Sequence, residues 1–375
     1  MKIAYYMPFK PPDHANPSGD LIIGRELREF LAGQHHQIDL ASTLRSRWVY
    51  WKPRDLISHR SEVQRVCDAL QSEPADLWLT YHTYYKAPDL LGPMCAKKLG
   101  LPYVIFQGIY STKRMRSLKT LPGFILNRKA LRSAHMVCAN KRKDEKNLLR
   151  LLPRERVCYV APGLHPDQFA FDPQARQEVR EKWQVGDRQV ILSTAMLRPG
   201  VKSEGIRQLI TSCAELYRLG HRFQLVIVGD GRNRQLLEDL ARESLDSACL
   251  FTGRIARTEL YRYYSAADLF AFPGIEESLG MVYLEAQSTG LPVVALSDWG
   301  ASEVVIDGQT GFLSSAAKPA EFTAAIKRLL SDPGLRVKMG ESAREHIRRI
   351  HDLNRNYSSF ESHLEDVVRT CRSTS

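Results

Sequence analysis

The sequence has 375 residues, 43% of them hydrophobic and 25% charged, with no low-complexity tract and no short-period repeat. That length exceeds one ordinary core, so two domains are expected, and no run approaches the roughly 18 apolar residues of a membrane span. The chain carries 53 Lys and Arg against 42 Asp and Glu, a net +11, yet residues 1–165 hold 27 basic and only 14 acidic side chains, so the excess lies wholly in the first half.

The first element, IAYYMPF, reads as a buried strand and not as a signal peptide, which places the protein in the cytoplasm or on the inner face of the membrane. Pro17, Ser18, Gly19 and Asp20 follow in a turn that opens the helical pattern GDLIIGRELREFLAG. Gly19 lets backbone approach a ligand phosphate, while Asp20 or Ser18 caps the helix. The runs QIDLAS, DLWLTY, PYVIFQG, HMVCAN and VCYVAPG are the further strands of the first half. Two of them end on polar side chains, His82 and Gln107.

Between Ser111 and His135, basic residues flank Leu118, Leu121, Phe124, Ile125 and Leu126, a composition suited to an interface-lying helix on anionic lipid. The densest basic stretch, from Lys113 to Arg150, has twelve Lys and Arg against Asp144 and Glu145 alone. A half of this kind faces polyanions: phospholipid, lipid-linked phosphate or nucleic acid. The basic residues are not interleaved with aromatics as a base-stacking platform needs, which speaks against nucleic acid. Seven dispersed cysteines, with no CxxC pair, predict reduced thiols and no structural zinc.

Proline and glycine concentrate near Ala161–Asp172, the expected break between domains spanning 1–165 and 170–350. The second half repeats the alternation of short apolar runs and amphipathic segments, from VILSTA through QLVIVGD, LFTG, LFAFPG and PVVALSD to GFLSS. This is an α/β pattern of two doubly wound, Rossmann-like parallel sheets. Strand ends of such sheets are where ligands bind.

Directly after VILSTA, Arg198 and Lys202 sit in a Gly/Pro loop that opens a helix, placed to neutralise a leaving diphosphate. The sharpest pattern is PGIEESLGMVYLEAQSTGLPVVA, residues 273–295. A loop holding Glu277, Ser278, Leu279 and Gly280 leads into a helix from about Met281 to Ser288. The backbone N–H groups of Leu279 to Val282, Gly280 and Met281 included, are orphan donors suited to a diphosphate. Glu285, eight residues beyond Glu277, lies on the second turn, so one carboxylate can accept ribose hydroxyls and the other sugar hydroxyls.

That segment resembles the E-x7-E motif of the retaining family 4 glycosyltransferases, which have the GT-B fold. The likeness extends over PSGDLIIGRELREFLAG, SAHMVCANKRKDEKNLL, LVIVGDGRNRQLLEDLA, LFTGRIARTELYRYYSAADLFAFP and ALSDWGASEVVIDGQTGFL, nearly the whole chain. It implies two domains facing across a cleft, with a last helix from about residue 353 crossing back onto the first. It implies catalytic roles for Glu277, Arg198, Lys202 and Gln107 and donor contacts by Gly19, Arg254, Glu285 and residues 278–282; His82, read from its place at a strand end, faces the acceptor or serves as a structural hydrogen-bonder. Two departures stand out: the family's usual Arg position falls on Met196, with Arg198 four before Lys202, and Gln107 replaces a frequent histidine. Glutamine hydrogen-bonds but exchanges no proton near neutral pH.

The implied function is transfer of a sugar from a nucleotide-diphosphate sugar, UDP- or GDP-linked, to a glycan or lipid-linked acceptor in bacterial surface polysaccharide or lipopolysaccharide synthesis. No D-x-D cluster accompanies the phosphate loops, so neither metal nor cofactor is expected. A sugar-nucleotide epimerase or hydrolase on the same fold is the alternative enzyme, and a basic nucleic-acid-binding protein the alternative of another class.

Overall fold

A computed structural model describes residues 1–14 and 19–374; Pro17 and Ser18 lie outside the described residues. The chain forms two compact units, one of Met1–Ala161 rejoined by the C-terminal helix from Asn354, the other of Pro162–Leu353.

In the first unit, β1 (Lys2–Tyr6), β2 (Gln37–Ser42), β3 (Leu77–Thr83), β4 (Tyr103–Gly108), β5 (Met136–Ala139) and β6 (Val157–Tyr159) form one parallel sheet ordered β2-β1-β3-β4-β5-β6. All residues of β3 and β4 are buried, which is why these strands read as largely apolar runs, and the polar Thr80 inside β3 is hydrogen-bonded to Trp78 and Asp89. The C-terminal helix Leu353–Thr374 belongs to this unit's core. Its Tyr357 meets Phe30 and Phe106 edge-on at 5.5 and 5.9 Å, and Phe360 meets Phe106 at 4.8 Å.

The second unit repeats the plan with β7 (Gln189–Thr194), β8 (Phe223–Val228), β9 (Cys249–Gly253), β10 (Leu269–Ala271), β11 (Val293–Leu296) and β12 (Gly311–Ser314). The order is β12-β11-β10-β7-β8-β9, again all parallel. Both sheets therefore change direction of winding next to their first strands, which leaves a crevice at the carboxyl strand ends of each.

Two expectations need correction. Cys138 and Cys158 are not free thiols: they stand opposite each other in the β5–β6 register and form a disulfide, leaving five free cysteines among the described residues. Their twenty-residue separation gives no hint of this, because strand pairing alone brings them together. The basic 111–135 segment is also not one helix. It divides into a 3-10 turn, Thr112–Arg116, and a helix, Leu121–Ser133, that Pro122 starts. Phe124, Ala130 and Leu131 turn into the core, whereas Met115, Leu118 and Ile125 are 51%, 84% and 56% exposed. Among the described residues, no helix is long and apolar enough to cross a membrane.

Candidate active site

In the second unit the loop between β10 and the helix Met281–Thr289 is built on left-handed backbone. Gly274 and Gly280 have φ of 66° and 68°, and a Cβ at either would run into Tyr283, whose hydroxyl donates to the Phe272 carbonyl at 3.1 Å. Tyr283 therefore props the loop from beneath and fixes where the helix begins. Gly290, at φ 92°, ends it.

On this loop the Glu277 carboxylate accepts from its neighbour Ser278 N–H at 3.1 Å and is ion-paired with Lys202. Lys202 lies in the first turn of the helix Val201–Arg218, after Gly200 at φ 102°. Burial, and then the nearby Arg198 guanidinium, push the Lys202 ammonium down to about 8, an effect the paired carboxylate opposes. Arg198 is exposed, and its carbonyl accepts from Ser203 at 2.7 Å, closing the loop onto the helix start. Two helix N-termini, a lysine and a glutamate thus share one corner, an arrangement that binds an anion beside hydroxyl groups.

Glu285 is held quite differently from Glu277. It is only 4% exposed; Tyr264 donates to its Oε2 at 2.9 Å, and Arg257 Nε lies 3.4 Å from its Oε1. Neither partner stands out in the sequence, since Arg257 and Tyr264 precede Glu285 by 28 and 21 residues on other elements. Arg254, by contrast, is exposed in the turn after β9, and it is Arg257 that reaches the carboxylate.

The first unit presents a second polar group. His82 and Gln107 end the paired strands β3 and β4, and both adopt the left-handed region, at φ 60° and 64°. They are 6% and 3% exposed, yet Gln107 Oε1 and both His82 ring nitrogens have no hydrogen-bond partner. His82 Nδ1 stands 3.6 Å from the Asp20 carboxylate, and the ring stacks on Tyr84 at 4.9 Å. Burial lowers the His82 pKa, against which Asp20 acts. Met7, Phe9, Asp20 and His82 line a small pocket here. Two buried, strained and unpartnered polar side chains on adjacent strand ends mark a place where a ligand supplies the missing bonds. Gly19 opens the neighbouring helix, exposed and with open space where a side chain would sit.

One set of side chains has metal-ligand spacing among the described residues, His36, Glu361 and Glu365. Glu361 and Glu365 lie on the C-terminal helix, away from the loops described above, and His36 already bonds Glu361 at 2.8 Å.

Two Rossmann-like sheets, each all-parallel with surrounding helices, give the chain the GT-B fold class. The Glycosyl transferases group 1 family model matches residues 175–346, most of the second unit. It is 36% identical over 200 residues to the GDP-mannose-dependent alpha-(1-6)-phosphatidylinositol monomannoside mannosyltransferase of Mycolicibacterium smegmatis, covering 51% of this chain and 52% of that one. Identity to the alpha-D-kanosaminyltransferase of Streptomyces kanamyceticus is 34% over 214 residues, 56% and 54% of the two chains. The chain thus spans about half the length of these curated relatives. Among solved structures, sucrose-phosphate synthase of Thermosynechococcus elongatus superposes with a TM-score of 0.76 at 19% identity, over 99% and 100% of the chains. HepE of Anabaena in complex with UDP gives 0.76 at 19%, over 98% and 100%. At such identities the likeness speaks for the fold alone.

Proposed function

We propose that the protein is a retaining glycosyltransferase that moves a sugar from a nucleotide-diphosphate sugar to a glycan or lipid-linked acceptor. The observation that carries this reading is the Lys202–Glu277 pair at the start of two helices. In it, Lys202, Arg198 and the N–H groups of residues 279–282 neutralise the leaving diphosphate, where charge grows as the glycosidic bond breaks. Glu277 accepts sugar hydroxyls and Glu285 the ribose diol. Catalysis rests on positioning and leaving-group stabilisation, without a metal and without a strong base.

His82, Gln107 and Asp20 supply hydroxyl contacts in the first unit, Gln107 as a hydrogen-bonding residue only. The names of the relatives support a nucleotide-linked donor: the mycobacterial one uses GDP-mannose and acts on a phosphatidylinositol mannoside, and HepE binds UDP. An acceptor of the cell surface, lipid-linked, fits the basic first half. Exposed Met115, Leu118 and Ile125 among Lys113, Arg114, Arg116 and Lys119 suit an anionic membrane surface.

The test is a thermal-shift screen against UDP-, GDP-, ADP- and dTDP-sugars without metal, for wild type and Glu277→Gln, followed by turnover with and without a glycolipid acceptor. A shift with one nucleotide class and acceptor-dependent turnover is the expected result. Donor consumption that ignores the acceptor would instead identify an epimerase or hydrolase.

A further inference from the structure

We infer that Arg257 and Tyr264 are positioning residues for Glu285, holding its carboxylate in the one orientation that accepts both hydroxyls of a nucleotide ribose. This rests on the reading of Glu285 as the ribose-binding residue.

A carboxylate as buried as Glu285 is costly unless it is paired and hydrogen-bonded. The chain meets that cost from a single stretch between β9 and β10. Arg257 sits in the 3-10 turn Arg257–Glu259 and Tyr264 in the following helix, Leu260–Ala266. They address different oxygens: Arg257 Nε stands 3.4 Å from Oε1, and the Tyr264 hydroxyl donates to Oε2 at 2.9 Å. With a donor at each oxygen, rotation of the carboxylate about its last torsion is blocked.

Tyr264 itself cannot move far. It is fully buried, with its ring against Phe169 at 6.1 Å and Phe270 at 5.8 Å. Burial, with Glu285 beside it, raises its pKa well above 10, so the phenol stays a donor throughout the working pH range. Arg257 is half-exposed and lies over the Phe169 ring at 5.7 Å, which fixes its guanidinium plane. An ionised carboxylate is acceptor-only, with about four lone-pair sites on two oxygens. A vicinal diol needs both oxygens presented together, and a freely turning carboxylate offers that geometry only part of the time. Fixing it in advance removes that loss from donor binding.

Calorimetric titration of the full chain with GDP and UDP, and with their 2′,3′-dideoxy forms, tests this. The wild type is expected to bind its preferred nucleotide about tenfold more tightly than the dideoxy form, the worth of hydrogen bonds to a charged group. Tyr264→Phe should bind the parent nucleotide about tenfold more weakly while binding the dideoxy form as the wild type does, so that discrimination disappears. Arg257→Gln, at a half-exposed position, should shift in the same direction and guards against a Tyr264→Phe chain that fails to fold. If both variants weaken parent and dideoxy forms equally, or weaken neither, the two residues only support the fold and the inference is overturned. If the wild type does not distinguish the dideoxy form of the nucleotide it binds, or Glu285→Gln still distinguishes it as the wild type does, the ribose reading of Glu285 fails and takes the inference with it.

Discussion

Lys202 and Glu277, 75 residues apart in the chain, form an ion pair, and both side chains are largely shielded from solvent. Each neutralises the other at the place where a diphosphate and a sugar would meet. Donor binding then has to divide the pair, the ammonium turning to phosphate oxygens and the carboxylate to hydroxyls. Removing one partner leaves the other buried beside the ligand without its counter-charge. Lys202→Ala and Glu277→Ala are each expected to lower kcat/KM by about 100-fold or more. The double variant should fall short of the product of the two by a coupling of about 1–3 kcal/mol. A steady-state double-mutant cycle measures it, and strict additivity would show that the pair has no part in the transition state.

The same lysine sets an alkaline limit. Its pKa lies near 8, below the usual lysine value, because burial and Arg198 disfavour the charged form. The cation is therefore present at pH 7 and lost as the pH rises through 8. Accordingly kcat/KM, which reports the free enzyme, should fall above pH 8, and kcat less so, because a bound diphosphate holds the proton on. Lys202→Arg, charged to beyond pH 12, should flatten that limb even if it lowers the plateau. A wild-type profile level to pH 10 would contradict the assignment.

Gln107 offers a case where stability and activity separate. Its φ of 64° and its unpartnered Oε1 both cost folding energy. Glycine removes the left-handed strain, about 1 kcal/mol, together with the buried orphan oxygen. Gln107→Gly is thus expected to melt at or a few degrees above the wild type while turnover drops at least tenfold. A loss of Tm with activity intact would mark Gln107 as a structural residue.

His351 makes a pH-dependent contribution to stability with a definite sign. Its ring is buried; Nδ1 must donate to the Pro162 carbonyl at 2.6 Å, since that oxygen can only accept, and Nε2 then accepts from His346 at 3.2 Å. Burial pushes its pKa down to about 4 from the ordinary 6.5. Above pH 6.5 neither folded nor unfolded chain binds this proton, and the contribution is complete. Between 6.5 and 4 the unfolded chain takes up a proton that the folded chain refuses, so stability falls by about 3 kcal/mol over that window. Urea unfolding at pH 7 and pH 4.5 should show the loss, and His351→Gln should reduce it.

The sequence by itself determined the two parallel sheets, because buried parallel strands are written as short apolar runs between amphipathic helices, and that alternation survives any detail of packing. In the 273–295 segment it also carried a helix start, a glycine stop and two glutamates eight apart, whereas the left-handed backbone of Gly274 and Gly280 is a finding of the structure. What it could not settle were relationships set by strand order and helix packing. Register alone joins Cys138 to Cys158, which made the expectation of free thiols wrong. Packing alone brings Lys202 to Glu277, and Arg257 and Tyr264 to Glu285, since nothing in a linear spacing of 21 to 75 residues encodes contact. His82 and Gln107 were readable as polar strand ends, but their strain and missing partners are properties of two backbones lying side by side. Local pattern fixes which elements form and which residues can do chemistry; only the tertiary structure decides which of them meet.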